Sequence, residues 1–200
     1  WLKLGEMGAL LPSISEAYGE IKEKFAYDAA VFEDMEAIVP DALSGVTVSS
    51  GIVAHYILHY GSEQQKQRWL PGMARGELIG AIAMTEPGTG SDLQSIRTTA
   101  KLEGDNYVIN GQKTFITNGQ TADLIVVVAR TGGTGGKGLS LIVLETKDNP
   151  GFKRGRNLDK IGLHASDASG LFVEKAVAPR VTLLGGEEGK GFAPVTLQLL

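Results

Sequence analysis

The sequence predicts an α+β protein with more than one domain, helices leading and strands following. Three observations predict it. Apolar residues recur at helical spacing through the first third of the chain. Near Leu78 the texture changes to short alternating or β-branched runs divided by turn residues. A helical pattern resumes at Phe192. Helices, then antiparallel strands, then a helix start describe separate α and β parts, not a βαβ unit.

Phe25 to Ile38 places Phe25, Ala29, Phe32, Met35 and Ile38 on one helical face with acids opposite. Pro40 should end this helix, and Asp41 or Ser44 can cap the next. Val46 to Tyr60 reads as a more apolar, buried helix, with Gly61 where a left-handed terminal residue is wanted. Ser62 and Gln65 offer a capping box for a helix through Arg75, closed by Gly76. Ile79 to Met84 is a short apolar run followed by turn residues. Thr99 to Glu103, Gly104-Asp105-Asn106 and Tyr107 to Asn110 read as a hairpin. Leu124 to Ala129 is an unbroken β-branched run suited to a strand buried on both faces. Leu139 to Glu145 and Gly170 to Val177 read as further strands.

The 200 residues suffice for one large or two small domains. With 19 Lys+Arg against 23 Asp+Glu, the net charge of -4 argues against a non-specific nucleic-acid binder, which gains from a basic excess. The cluster Lys153-Arg154-Gly155-Arg156 reads as a solvated strand end. The absence of cysteine excludes disulfides, zinc-thiolate sites and thiol nucleophiles, and fits a reducing compartment. No apolar run approaches the ~18 residues of a membrane span. The chain opens on Trp1-Leu2-Lys3-Leu4 and stops at Leu197-Gln198-Leu199-Leu200, so both ends read as cuts.

Two segments carry candidate chemistry. In Ala83-Met84-Thr85-Glu86-Pro87-Gly88-Thr89-Gly90-Ser91-Asp92, glycines around a hydroxyl residue let backbone N–H groups approach an anion or a heteroaromatic edge. It is not a GxGxxG fingerprint, because Ser91-Asp92-Leu93 follows Gly90. The second is Asn110-Gly111-Gln112-Lys113-Thr114-Phe115-Ile116-Thr117-Asn118-Gly119, which taken alone reads as a hairpin and a strand ending at Asn-Gly.

This pair, in this order and separation, resembles the acyl-CoA dehydrogenases. Met84 to Asp92 is similar to the family's first signature, and Phe115-Ile116-Thr117-Asn118 to its second. Glu16-Ala17-Tyr18-Gly19, Tyr60 to Lys66, Lys160-Ile161-Gly162-Leu163 and Leu183-Leu184-Gly185 match further segments in register. Glu20 departs from the Gly usual after Tyr18-Gly19. Gly170 stands where Glu is common, and Lys175 to Pro179 varies the usual acidic-then-Val-x-Val-Pro ending. Ile79 to Leu93 and Gly162 to Asp167 look closest to the long-chain branch.

The resemblance implies a partial N-terminal helical domain over 1–77, an antiparallel β-barrel-like middle domain over 78–190, and the start of a truncated C-terminal helical bundle over 191–200. It implies FAD as cofactor and α,β-dehydrogenation of an acyl-CoA in fatty acid β-oxidation. An oxidase or monooxygenase on the same fold, or a non-catalytic binding module, are the alternatives. Ile82, Ala83, Met84, Thr85, Glu86, Pro87, Gly88, Thr89, Gly90 and Ser91 would line the isoalloxazine ring, with Thr85 at its pyrimidine edge. Ser91 would lie near the pyrophosphate and the acyl-CoA. Phe115 and Ile116 would lie beside the flavin, with Thr117 at N5, the hydride acceptor. Glu86 itself reads as held by its turn. The base glutamate is expected beyond Leu200, so no catalytic residue is assigned.

The resemblance places Gly136 and Lys137 at the CoA moiety. Their loop, Thr131 to Gly138, fails the Walker pattern: Thr131 stands where the first Gly is required and Gly138 where Ser/Thr is required. Its plainest reading is a flexible hairpin. His55 and His59 at i, i+4 lack a third ligand and read as helix packing, so no metal is expected. His164 is a lone loop histidine. The implied partners are an electron-transfer flavoprotein and further copies in a homotetramer. Neither nucleic acid nor membrane is expected as a partner. The compartment would be the cytoplasm of a bacterium or the mitochondrial matrix of a eukaryote.

Overall fold

The computed structural model describes residues 1–14, 16–18 and 25–198. Gly19 and Glu20 therefore lie outside the described residues. Helices α1 (Leu2–Glu6), α2 (Phe25–Ile38), α3 (Pro40–Val46), α4 (Ala54–Tyr60) and α5 (Glu63–Ala74) come first. Strands β1 (Gly80–Ala83), β2 (Thr99–Glu103), β3 (Asn106–Thr117), β4 (Leu124–Arg130), β5 (Leu139–Glu145), β6 (Phe152–Asn157) and β7 (Ala168–Pro179) follow, and α6 (Phe192–Gln198) comes last.

The helical part differs from expectation at three points. Pro40 opens α3 at its first position, where its missing N–H is not needed, and Val39, not Asp41 or Ser44, is the N-cap. Val46 to Tyr60 is not one α-helix, because Thr47–Val53 is π-helical. Gly61 is extended, at φ -74° and ψ 147°; glycine is needed there because a Cβ would stand 2.4 Å from the Ile57 carbonyl oxygen. The capping box of α5 is present: the Gln65 amide donates to Ser62 Oγ at 3.2 Å and the Ser62 amide to Gln65 Oε1 at 2.8 Å. Gln65 Nε2 also donates to the Val181 and Leu183 carbonyls, tying α5 to the chain after β7.

The seven strands form one mixed sheet that curls into a half-barrel, not an antiparallel one. β1 pairs with β4 in parallel, and β2 touches the same edge of β4 in parallel through Thr99 and Arg130. β1 and β2 thus lie end to end along β4, and the chain between them, residues 84–98, leaves the sheet and returns. The other pairings, β2–β3, β3–β7, β4–β5 and β6–β7, are antiparallel. The basic cluster is not a strand end but the body of β6, where Arg154 donates to the Gly119 and Ala122 carbonyls and stacks on Phe152. Asn110-Gly111 makes no turn; β3 continues through it, with a register shift against β7 between Ile109 and Asn110.

Alternation along β4 and β5 feeds two cores. Leu124, Val126 and Val128 with Leu139, Leu141 and Val143 pack against the helices. Ile125, Val127 and Ala129 with Ile142 and Leu144 face Ala81, Tyr107, Ile109, Ile116 and Val173 inside the curl. Each buried aliphatic side chain contributes about 1.5–3 kcal/mol of transfer free energy, so β4 anchors both layers. Where the start of a C-terminal bundle was expected, the described residues hold one helix, α6, which meets the first core through Val195 and Phe192.

Candidate functional site

The excursion between β1 and β2 begins with a tight turn. The Glu86 amide donates to the Thr89 carbonyl at 2.9 Å and the Thr89 amide to that of Glu86 at 3.0 Å. Pro87 and Gly88 occupy the two central positions, as such turns favour. The turn projects Pro87, Gly88, Gly90 and Ser91 into solvent, and a Cβ on Gly88 or Gly90 would meet nothing within 4 Å. Among the described residues the amides of Gly88, Gly90 and Ser91 find no acceptor. Met84 and Thr85 are half-buried at its base, and Ile82 packs against the helical core. The side chains of Ala83, Glu86 and Thr89 are buried, so they meet a ligand there only through their backbone.

The second segment lies beside the first, because the Thr114 amide donates to the Thr85 carbonyl at 2.9 Å. Here β3 departs from strand periodicity. Lys113 pairs with Leu171 but Ile116 with Ser169, so β3 carries one extra residue across this step. Phe115 takes φ 57° at the bulge. Lys113 and Ile116 both turn inward, while Phe115 is 70% exposed. Thr117 is half-buried at the strand end. Asn118 follows at φ 61°, buried, with Nδ2 donating to the Gly45 carbonyl at 2.8 Å and the Gly80 carbonyl at 2.9 Å. It thereby links the segment to α3 and β1. Among the described residues the hydroxyls of Thr85, Ser91 and Thr117 make no hydrogen bond.

Beneath both segments lies an ion pair that sequence reasoning missed. Lys113 is 1% exposed, and its Nζ donates to Glu86 Oε1 at 2.9 Å, the Met84 carbonyl at 2.9 Å and the Val128 carbonyl at 2.8 Å. The Glu86 carboxylate also accepts from the Arg97 amide at 2.8 Å and the Thr98 amide at 2.9 Å. Burial pulls the Lys113 ammonium down to about 8 against the opposing attraction of Glu86. Burial pushes Glu86 up, but its hydrogen bond with Thr98, the Lys113 charge and the Arg97 amide outweigh that and hold it below its ordinary value. The Glu86 carboxylate is thus held from outside its turn, by Lys113, Arg97 and Thr98.

A neighbouring cleft of about 350 Å³ is lined by Gln94, Gly136, Lys137, Gly189, Lys190 and Phe192, among others. The glycine-rich loop ends there in a 3₁₀ turn, Gly136–Gly138. Arg130, also missed, holds this loop beside the excursion: its guanidinium donates to the carbonyls of Gly133 and Gly135 on one and Gln94 and Ile96 on the other. The flexible-hairpin reading is replaced by a loop fixed from both sides. His55 and His59 pack on α4 with ring centroids 5.7 Å apart, and burial lowers the His55 pKa. Among the described residues no three side chains are grouped to hold a metal ion.

The acyl-CoA dehydrogenase N-terminal domain matches residues 1–77, and the acyl-CoA dehydrogenase middle domain matches residues 81–176. The chain belongs to the acyl-CoA dehydrogenase family. It is 45% identical over 195 residues to the long-chain specific acyl-CoA dehydrogenase, mitochondrial, of Sus scrofa, covering 96% of this chain and 45% of that one. The crystal structure of acyl-CoA dehydrogenase from Geobacillus kaustophilus superposes with a TM-score of 0.95 at 51% identity, over 100% of this chain and 52% of that one. Acyl-CoA dehydrogenase complexed with FAD from Bacillus anthracis gives a TM-score of 0.92 at 35% identity, over 98% of this chain and 34% of that one. The chain thus spans about half the length of the curated relatives it matches. Two acyl-CoA dehydrogenase segments far apart in sequence, Tyr60 to Lys66 and Leu183 to Gly185, meet where the Gly185 amide donates to the Tyr60 carbonyl at 2.8 Å.

Proposed function

We propose that this chain supplies the flavin-cradling half of an FAD-dependent acyl-CoA dehydrogenase, which converts acyl-CoA thioesters to trans-2-enoyl-CoA in fatty acid β-oxidation. The observation that carries the reading is the pairing of two segments, joined where the Thr114 amide donates to the Thr85 carbonyl. Together they present three unengaged hydroxyls (Thr85, Ser91 and Thr117), the acceptor-free amides of Gly88, Gly90 and Ser91, and the exposed ring of Phe115. This set fits a flavin, which needs polar contacts at its ring edge, apolar packing and donors for its phosphates. FAD, when bound, supplies the hydride acceptor.

The chain's own residues then have separable tasks. Thr85 and Thr117 orient the ring by hydrogen bonds, and Phe115 packs beside it. Pro87 shapes the turn, while Ile82, Ala83, Met84, Glu86, Thr89 and Ile116 contribute backbone or support. Ser91 stands at the junction with the acyl-CoA. Lys137, exposed at the mouth of the cleft beside Gly136, acts as a point charge for a CoA phosphate. Glu86 is committed to Lys113, Arg97 and Thr98, so the α-proton goes to a glutamate outside these 200 residues, in a C-terminal helical bundle. We assign the substrate to the long-chain class, the electron acceptor to an electron-transfer flavoprotein, and the assembly to a homotetramer. Mitochondrial matrix or bacterial cytoplasm is the setting.

The deciding experiment is the absorption spectrum of the purified complete protein before and after anaerobic addition of a long-chain acyl-CoA. Bleaching of the flavin band is expected. A bound flavin that stays oxidised across acyl chain lengths would remove the substrate assignment, and a protein without flavin would remove the cofactor. Reoxidation by air as fast as by electron-transfer flavoprotein would place it among oxidases.

A further inference from the structure

We propose that Lys113 is a positioning residue for the flavin site, setting the mutual placement of the Thr85–Ser91 loop and the Phe115–Thr117 segment. This rests on the flavin reading above. The sheet has a gap along one edge of β4. β1 leaves β4 after Ala83 pairs with Val127, and β2 rejoins it only where Thr99 meets Arg130. Across that gap the Val128 carbonyl, on the β1-side edge of β4, has no strand to accept from. The Met84 carbonyl, one residue past β1, is in the same position.

Lys113 fills both vacancies with two of its three ammonium protons and gives the third to Glu86. Glu86 sits at the start of the excursion and holds its far end through the Arg97 and Thr98 amides. The Thr98 carbonyl in turn accepts from the Arg130 amide at 2.8 Å, which restarts the sheet. The pair therefore closes the neck of the 84–98 excursion. Lys113 is also the residue from which the β3 bulge departs, two positions before Phe115. One buried side chain thus fixes the base of the loop and the launch point of the second segment. The Thr114 amide bond to the Thr85 carbonyl lies between them. A solvent-facing lysine or a neutral side chain here would leave the Met84 and Val128 carbonyls unpaired and Glu86 without its counter-charge, so the spacing of Thr85 and Thr117 would rest on the Thr114 amide and the Asn118 side chain alone.

The test compares the complete protein with Lys113→Met, Glu86→Gln and Val143→Ala, the last a core truncation on β5, which lies along the opposite edge of β4 from the neck. Each is stripped of flavin and titrated with FAD, read by quenching of flavin fluorescence. The visible band, kcat and KM for acyl-CoA are recorded on reconstituted protein, and folding is followed by circular dichroism. The expected result for Lys113→Met is FAD affinity weakened about 10-fold or more and kcat lowered similarly, with KM moved less than about threefold. The flavin band should shift, and Val143→Ala should lose thermal stability without these changes. If Lys113→Met does not fold, Glu86→Gln carries the test, with the same direction expected. Folded neck variants whose affinity, spectrum and kcat match the unsubstituted protein overturn the inference. So does an equal loss of affinity in Val143→Ala, which would mean general destabilisation. Failure of the unsubstituted protein to bind FAD overturns the function itself and is seen before any variant is made.

Discussion

The Nζ of Lys113 lies 2.9 Å from Oε1 of Glu86, with both side chains almost wholly removed from solvent. A buried pair of this kind costs desolvation that its mutual attraction offsets only when all remaining donors and acceptors are satisfied. Here they are, by the carbonyls of Met84 and Val128 and the amides of Arg97 and Thr98. Removing one partner alone would strand the other charge, and the pair lies at the neck of the loop that the proposed cofactor needs.

Acid should loosen this neck. The folded-state pKa of Glu86 lies below its ordinary 4.5. The folded protein therefore binds fewer protons there than the unfolded chain, and the group's stabilising contribution is complete above 4.5 and lost as pH falls through the folded value. Urea unfolding between pH 3 and pH 6, about the range in which carboxylates titrate, should show a steeper acid loss for the unsubstituted chain than for Glu86→Gln. Equal slopes would mean that Glu86 is protonated in both states or in neither.

Phe115 should trade stability for function. Its φ of 57° is unfavourable for a side chain with a Cβ, by about 1 kcal/mol or somewhat more. Its ring is 70% exposed, so the fold gains little from it. Phe115→Gly is expected to leave the flavin-free protein as stable or about 1 kcal/mol more stable, while weakening FAD binding. A clear drop in the flavin-free melting temperature would show that the ring packs within the protein.

Asn118 should behave in the opposite way. Its φ of 61° suits Gly as well as Asn, so Asn118→Gly keeps the backbone but deletes two buried hydrogen bonds. Leaving the Gly45 and Gly80 carbonyls unpaired should cost about 2–4 kcal/mol in chemical denaturation. Loss below half of that would indicate that water replaces the amide.

Arg130 tests the cleft. Arg130→Lys keeps the charge but cannot serve four carbonyls on two loops. The KM for acyl-CoA should rise about 3–10-fold with kcat nearly unchanged, since remote substrate contacts act mostly on binding. A fall in kcat with KM unmoved would assign the glycine-rich loop to the chemistry instead.

Much of this was legible in the sequence. The capping box of α5, the β2–β3 hairpin and the doubly buried β4 follow from local chemistry and periodicity, which tertiary context reinforces. The two flavin-like segments were visible as motifs, and the fold lays them side by side. Four features were hidden. A π-helical stretch has the same apolar composition as an α-helix, so Thr47–Val53 gave no separate signal. An added residue in β3 is set by its partner strand, and strict alternation would have put Lys113, Phe115 and Thr117 on one face. Lysine and arginine read as surface residues, and only the gap in the sheet and the meeting of two loops explain why Lys113 and Arg130 turn inward. The parallel pairing of β1 with β4 was missed for a similar reason: no local pattern records which edge a strand joins.

The double burial of β4 also bears on what happens when the fold is lost. Leu124 to Ala129 is six apolar residues without a charge, a segment prone to self-association once its neighbours withdraw. While folded it has β5 on one edge, β1 on the other and a core on each face. A mild excursion that lifts only the helices would uncover one of those faces while the sheet persists. Heat inactivation would then run through sticky, half-open molecules, and recovery on cooling would depend on protein concentration and on chaperones more than on the intrinsic stability of the flavin site.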